Sequence, residues 1–120
     1  MTSDFTKALM TALNTVTTCY FEEADASATL PYAVVQSTSI RNFESQEDAV
    51  IEIAIYQKDG ANLVVETISE TIKTLLHKKL LSVTGKFASH IYFDSSDNLR
   101  DPDSDIISRR MTFTARIFYI

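Results

Sequence analysis

The fold is decided by the closing stretch of the sequence, ISRRMTFTARIFYI, residues 107–120. Apolar and polar residues alternate along it, which is typical of a strand with one face buried in a core. One face would carry Met111, Phe113, Ala115, Ile117 and Tyr119. The other would carry Arg110, Thr112, Thr114 and Arg116, joined at the end by Phe118 and Ile120. We therefore predict an antiparallel strand over Ile107–Ile120 whose second face meets solvent or a partner.

A second alternating segment, Lys86–Asp94, precedes this strand and predicts the other half of a hairpin. The polar segment Ser95–Ile106 lies between them, and we predict it to be a loop. Its acidic residues are Asp97, Asp101, Asp103 and Asp105. Long loops in compact domains are often functional. The acidic loop is therefore a candidate contact for a partner, and a solvated turn is the plainer interpretation.

The remaining elements follow from the same kind of periodicity. Helical spacing predicts an amphipathic helix that begins near Phe5 and ends near Cys19. Strands are predicted over Tyr32–Ile40 and Ala49–Lys58, with a polar connection over Asn42–Asp48, and a long helix over Ala61–Leu80. The predicted fold class is α+β: a mainly antiparallel four-stranded sheet with two helices packed on one face, in the order α-β-β-α-β-β. Residues 1–120 form one predicted domain.

The composition limits the classes of function. The net charge is −5, which argues against a surface that binds nucleic acid by neutralising phosphates. The single cysteine, Cys19, cannot form an internal disulfide, so we expect a reducing compartment and a buried, apolar role for it. The sequence shows no signal-peptide pattern, and no stretch approaches the roughly 18 apolar residues that cross a membrane. We therefore expect a soluble protein with no membrane partner.

No catalytic, cofactor-binding or metal site is predicted. The two glycines are isolated, which excludes a phosphate-binding loop, and His77 and His90 have no further ligands at metal-binding spacing. The alternate aspartates of the acidic loop begin like an EF-hand, but Ile106 and Thr112 stand where that loop needs glycine and glutamate. Since no nucleophile is paired with a base, we predict that the protein is not an enzyme.

The layout resembles the tail terminator (tail completion, head–tail joining) proteins of long-tailed bacteriophages. The resemblance rests on the N-terminal helix, the strand entry Leu30–Val35 with its Pro-aromatic-Val pattern, the Ala49–Lys58 strand, the Ala61–Leu80 helix and the closing strand Arg109–Ile120. It covers nearly the whole chain as a likeness of size, order and loose pattern. It implies a homo-oligomeric ring, typically a hexamer, that stops growth of the tail tube and docks on the head connector. It also implies assembly in the host cytoplasm, a place in the virion, DNA passing through the lumen without specific binding, and no catalytic residues.

A head-to-tail ring needs two different complementary surfaces on each subunit. One candidate is the semi-apolar face of the Ala49–Lys58 strand, with Val50 and Tyr56. The other is the outer edge of the closing strand, with Phe118 and Ile120. The alternative for these side chains is ordinary packing under the two helices.

Two other functions are left open by the sequence. A phage head completion or connector protein could have a similar fold and charge. A small-ligand-binding α+β domain would need an apolar pocket with a few convergent polar groups.

Overall fold

The computed structural model describes residues 3–42, 45–58, 60–100 and 105–120. In chain order the elements are α1 (Ser3–Leu13), β1 (Cys19–Phe21), β2 (Tyr32–Asn42), β3 (Gln46–Lys58), α2 (Asn62–Leu76), β4 (Lys79–Val83), β5 (Phe87–Arg100) and β6 (Ile106–Tyr119). The strands form one curled, half-barrel sheet in the order β1-β2-β3-β6-β5-β4. The β1–β2 pair is parallel and the other pairs are antiparallel. The predicted four-stranded antiparallel fold is therefore wrong: the sheet is mixed and has a further short strand at each edge.

The core lies between the helices and the inner face of the sheet. Buried and partly exposed residues alternate along β3, so that Ile51, Ile53 and Ile55 are fully buried. The neighbouring strand β6 buries Phe113 in the same way. The helices add Phe5, Leu9 and Leu13 from α1 and Val65, Ile72 and Leu76 from α2. The prediction of which β3 residues face the core is confirmed.

The hairpin of β5 and β6 is longer than the sequence indicated, and the prediction of a loop is wrong for Ser95–Arg100 and for Ile106, which are strand. A bulge after Phe93 shifts the register, and β5 then continues to Arg100. Its polar residues have partners on the facing strand: the Arg110 guanidinium lies 3.4 Å from the Asp97 carboxylate. Opposite charges across an antiparallel pair stabilise it, and this partner is invisible within the segment's own sequence.

The strand β4 occupies what was predicted as the last part of the helix over Ala61–Leu80. The helix α2 ends at Leu76, and Lys78 adopts a left-handed backbone with φ of 58°. Lys79–Val83 then pairs with Phe87–Ile91 of β5. The apolar stripe suited a helix, but the backbone of this segment bonds to a neighbouring strand instead.

The strand β1 was also missed, because three residues are too few to show a period. The sequence predicted a helix end and a polar turn here, whereas α1 ends at Leu13 and Cys19–Phe21 pairs with Ala33–Val35. The Glu22 N–H donates to the Val35 carbonyl at 2.7 Å just after the strand ends. A parallel neighbour holds this segment extended.

Glu47 shows why the connection predicted over Asn42–Asp48 is too long. It belongs to β3 and is only 1% exposed, on the inner face of the sheet. The Tyr119 hydroxyl donates to its Oε1 at 2.5 Å. Burial raises the pKa of the Glu47 carboxyl, but hydrogen bonds from Tyr119 and Ser39 help to bring the pKa below its ordinary value. A charged, bonded Glu47 thus ties β3 to the end of β6.

This pKa predicts a loss of stability in acid. A carboxyl whose pKa is depressed on folding contributes stability above its ordinary pKa, and that contribution is lost as the pH falls through the folded value. We expect the free energy of unfolding of the wild type to fall as the pH drops through and below the ordinary pKa of a glutamate, and to fall less steeply in E47Q. Urea titrations of both proteins at several pH values measure this, and identical pH slopes would contradict it.

Two phenylalanines of β6 test the two faces of the sheet. Phe113 is fully buried and contacts Phe93 with ring centroids 5.5 Å apart, whereas Phe118 is 40% exposed on the opposite face. We expect F113A to lower the free energy of unfolding by about 3–5 kcal/mol, because it leaves a cavity in the core. F118A is the matched control, with an expected loss below about 1 kcal/mol. Chemical denaturation would refute this assignment of faces if the two losses were equal.

Candidate assembly surfaces

The sheet face turned away from the helices is called here the open face. No helix or strand of the described residues packs on it. Val50 and Tyr56 of β3 and Phe118 of β6 lie on this face, and all three are at least partly exposed. The alternative that they pack under the helices is wrong, because the helices cover the other face.

Three tyrosines gather at one end of the open face. The rings of Tyr20 and Tyr32 meet edge to face with centroids 5.9 Å apart, and the rings of Tyr32 and Tyr56 lie 5.3 Å apart. A shallow hollow of about 160 Å³ adjoins them, lined in part by Leu99 and Arg110. Tyrosine combines a large rigid ring with a polar hydroxyl, which suits partly wet protein contacts.

The middle of the open face is polar and internally paired. Besides Asp97 and Arg110, Arg116 Nε lies 3.4 Å from Asp48 Oδ1. The Thr114 hydroxyl donates to the Asp94 carboxylate. Exposed pairs of this kind add little stability, but they fix the directions in which the charges point.

The structure separates the acidic residues that the sequence grouped in one loop. Asp97 lies within β5 and is paired with Arg110, whereas Asp105 is exposed just before β6 begins. Asp101 and Asp103 lie outside the described residues. Asp97 is therefore part of the sheet, and Asp105 stands at the tip of the hairpin.

The end of the chain lies at the opposite end of the sheet from that tip. Ile120 is 82% exposed, and its N–H donates to the Lys86 carbonyl at 3.0 Å. The Tyr119 N–H donates to the Ser45 carbonyl at 2.9 Å on the other side. Phe118 and Ile120 are thus held in place while their side chains remain accessible.

A hollow of about 270 Å³ lies between the start of α2 and the β5–β6 hairpin. It is the place to look for the pocket that a small-ligand-binding domain would need. Arg109 lines it, but its guanidinium already donates to Asn98 Oδ1 and Ser69 Oγ, each at 2.8 Å, and lies 2.7 Å from Glu66. The hydrogen bond from Arg109, together with its charge, lowers the pKa of Glu66. These bonds hold α2 on the sheet and use the polar groups that a ligand would need.

Other kinds of site find little support in the described residues. No three His, Cys, Asp or Glu side chains converge there as a metal site would require. Cys19 is buried, and burial raises the pKa of its thiol to about 11, so the thiolate is disfavoured. Among the described helices, neither combines the length and apolar character needed to span a membrane.

The free edges of the sheet are not where the sequence predicted one. The closing strand β6 lies between β3 and β5, so the prediction of an outer edge there is wrong. The β2 segment Gln36–Asn42 and the β5 segment Tyr92–Arg100 have no strand beside them on their outer sides in the described structure. Exposed Ile40 and Leu99 lie in these segments. Only the strand order shows that they form edges, since periodicity does not reveal a strand's neighbours.

Comparison with known proteins now identifies the family. The family model for tail completion protein gp17 matches residues 5–118. The chain belongs to the tail completion protein gp17 family. The resemblance stated from the sequence is confirmed, and family membership assigns the chain to phage tail assembly. No curated protein matches the sequence.

Solved structures share the fold of this tail completion protein. A chain of the virion of a native gene transfer agent particle is 11% identical, with a TM-score of 0.70, covering 98% of this chain and 99% of that one. The gp17 protein of bacteriophage SPP1 is 18% identical, with a TM-score of 0.50, covering 90% of this chain and 87% of that one. At such identities the likeness concerns the fold alone.

The Arg109 network predicts a contrast between neighbouring arginines. Arg109 is largely buried against α2, whereas Arg110 is exposed on the open face. We expect R109A to lower the free energy of unfolding by about 2–3 kcal/mol, because Ser69 and Asn98 lose a charged partner. R110A, the control, should lose less than about 1 kcal/mol. Urea unfolding of both variants measures the contrast, and a larger loss in R110A would contradict it.

Proposed function

We propose that this tail completion protein forms a homo-oligomeric ring, with six copies as the expected number, that caps the phage tail tube and joins it to the head connector. The observation that carries the proposal is the family match over residues 5–118. The fold shared with a chain of a gene transfer agent virion supports a structural place in a particle. The role is mechanical, with no cofactor and no catalytic step, in a virion assembled in the host cytoplasm.

The two edges of the sheet and its open face suit such a role. A ring needs two different surfaces on each copy, and the sheet ends in two different edges, β1 with β2 and β4 with β5. The open face adds a broad partly apolar surface with Tyr56 and Phe118. A tube, a head connector and neighbouring copies can therefore be contacted by separate parts of the subunit.

The charge suits a passage for DNA. Each copy has a net charge of −5, so six copies would carry about −30. A negative wall repels phosphates, and DNA then passes without binding. We assign the segment that connects β5 to β6, with Asp101, Asp103 and Asp105, to contact with the tube or connector.

Purified protein tests the function directly. Sedimentation and negative-stain imaging with isolated tail tubes should show rings, free or at one end of each tube, and capped tubes should join heads. A protein that binds heads but not tubes would be a connector. One that remains monomeric and binds neither would overturn the proposal.

The hairpin tip has its own test. We expect the variant D101N/D103N/D105N to fold normally and to join tubes to heads roughly tenfold less well, equivalent to losing about 1.4 kcal/mol of contact energy. The variant E70Q, on the exposed side of α2, is the control for loss of charge and should join normally. Unchanged joining by the triple variant would reduce the tip to a solvated turn.

A further inference from the structure

The two short outer strands, β1 and β4, each cover only a minor part of the strand beside them. The strand β1 pairs with Ala33–Val35 of β2 and leaves Gln36–Asn42 without an outer neighbour. The strand β4 pairs with Phe87–Ile91 of β5 and leaves Tyr92–Arg100 without a strand on its outer side. Within that stretch the Phe93 N–H donates to His77 Nδ1 at 2.9 Å, so the unpaired backbone lies beyond Phe93. Each edge of the sheet therefore has two parts. The short outer strand, β1 or β4, is called here the step, and the uncovered stretch beside it, Gln36–Asn42 of β2 or Tyr92–Arg100 of β5, is called the notch.

The steps and notches lie at matching heights on the two edges. The pairings from strand to strand across the sheet place Leu80 of β4 in one row with His90, Arg116, Asp48 and Arg41, and residues of one row are called level. The segment Lys79–Leu81 of β4 is therefore level with Ser39–Asn42 in the notch beside β2.

The same holds at the other end of the sheet. Tyr20 of β1 is level with Val34, Ala54, Arg110 and Asp97. The step formed by β1 is therefore level with the notch beside β5. Two copies placed side by side in the same orientation would fit edge to edge without a shift along the strands.

The strand directions are compatible with such a contact. From the pairings within the sheet, β4 runs in the same direction as β2, and β1 runs opposite to β5. The new pairs would be parallel in one half and antiparallel in the other, and both are ordinary ladders.

Exposed apolar side chains mark these edges. Leu80 is 60% exposed on β4, and Ile40, which is 58% exposed, lies at the register shift of β2 next to Arg41, the residue in the row of Leu80. Leu99 is 47% exposed in the β5 notch, where the adjoining step carries Tyr20. Soluble proteins usually protect edge strands with charges or proline, so exposed apolar side chains on both edges indicate a partner strand.

We propose that copies of this chain join edge to edge. The strand β4 of a first copy lies in the β2 notch of a second copy, and β1 of the second copy lies in the β5 notch of the first. The proposal rests on the ring proposed above and names its subunit interface. The occupant is a second copy because one contact fills both notches, whereas a single foreign strand fills one. The contact is heterologous, so it closes into a ring when the rotation between copies permits.

Charge reversal across the contact tests the proposal. L80D and I40K should each weaken self-association at least about tenfold, because each places a charge in an apolar contact. An equimolar mixture of the two should assemble, since Asp at position 80 of one copy then meets Lys at position 40 of the next. The control L63D changes a side chain that is 78% exposed on α2 and should assemble like the wild type. Analytical ultracentrifugation of these four samples and of the wild type, at about 0.15 M salt so that the Asp–Lys pair is only partly screened, measures their association.

Cysteine cross-linking gives a second measurement that does not depend on the charged variants. Positions 40 and 80 are four strand spacings apart within one chain, about 19 Å along the sheet, which is too far for an internal disulfide. Oxidised I40C/L80C should therefore form a ladder of covalent oligomers that reduction removes, and I40C/L63C should not.

The outcomes separate the interface from the function. Two results would overturn the edge contact and leave the proposed function standing. In the first, the wild type and both single variants, L80D and I40K, all form rings. In the second, the wild type forms rings but oxidised I40C/L80C stays monomeric. Failure of the mixture to assemble where the wild type does would also overturn it. A wild type that remains monomeric even on tail tubes would overturn the ring and the edge contact together.

Discussion

The pairing of β3 with β6 is the constraint on which the rest of the structure depends. The two strands pair along the whole length of β3, in the middle of the sheet. Their inner faces bury Ile53 and Phe113 completely. A slip of one residue would turn every buried side chain to the open face, so the core fixes this register. The remaining strands can then add only outside this pair, and the helices can cover only its apolar face.

This constraint also determines where the molecule can meet partners. The central strands are hydrogen-bonded on both sides, so unpaired backbone is confined to the edges, where β1 and β4 cover only part of their neighbours. Unpaired backbone at a sheet edge can hydrogen-bond to a strand of another chain. Our proposal uses this property for contact between copies, and it leaves the open face and the hairpin tip for other parts of the particle.

The candidate surfaces could be predicted only in part. The face of Val50 and Tyr56 follows from alternation, because neighbours in a strand point in opposite directions. The position of Asp97 within a strand could not be predicted in this way. Its segment has the composition of a polar loop, and only pairing with the strand that carries Arg110 shows that it is strand. The apolar edge residues Ile40 and Leu80 gave no indication of function, since nothing local shows which strands lie at the edge.

The sequence by itself determined the alternation of β3 and β6, the apolar stripe of α2 and the overall pattern that the family model matches over residues 5–118. These features are repeated within a few residues, so they can be read locally. The tertiary structure decided the strand order, the existence of β1 and β4, and the extension of β5 to Arg100. Such segments become strands because a neighbour distant in sequence offers hydrogen bonds and opposite charges. That neighbour is known only once the chain has folded.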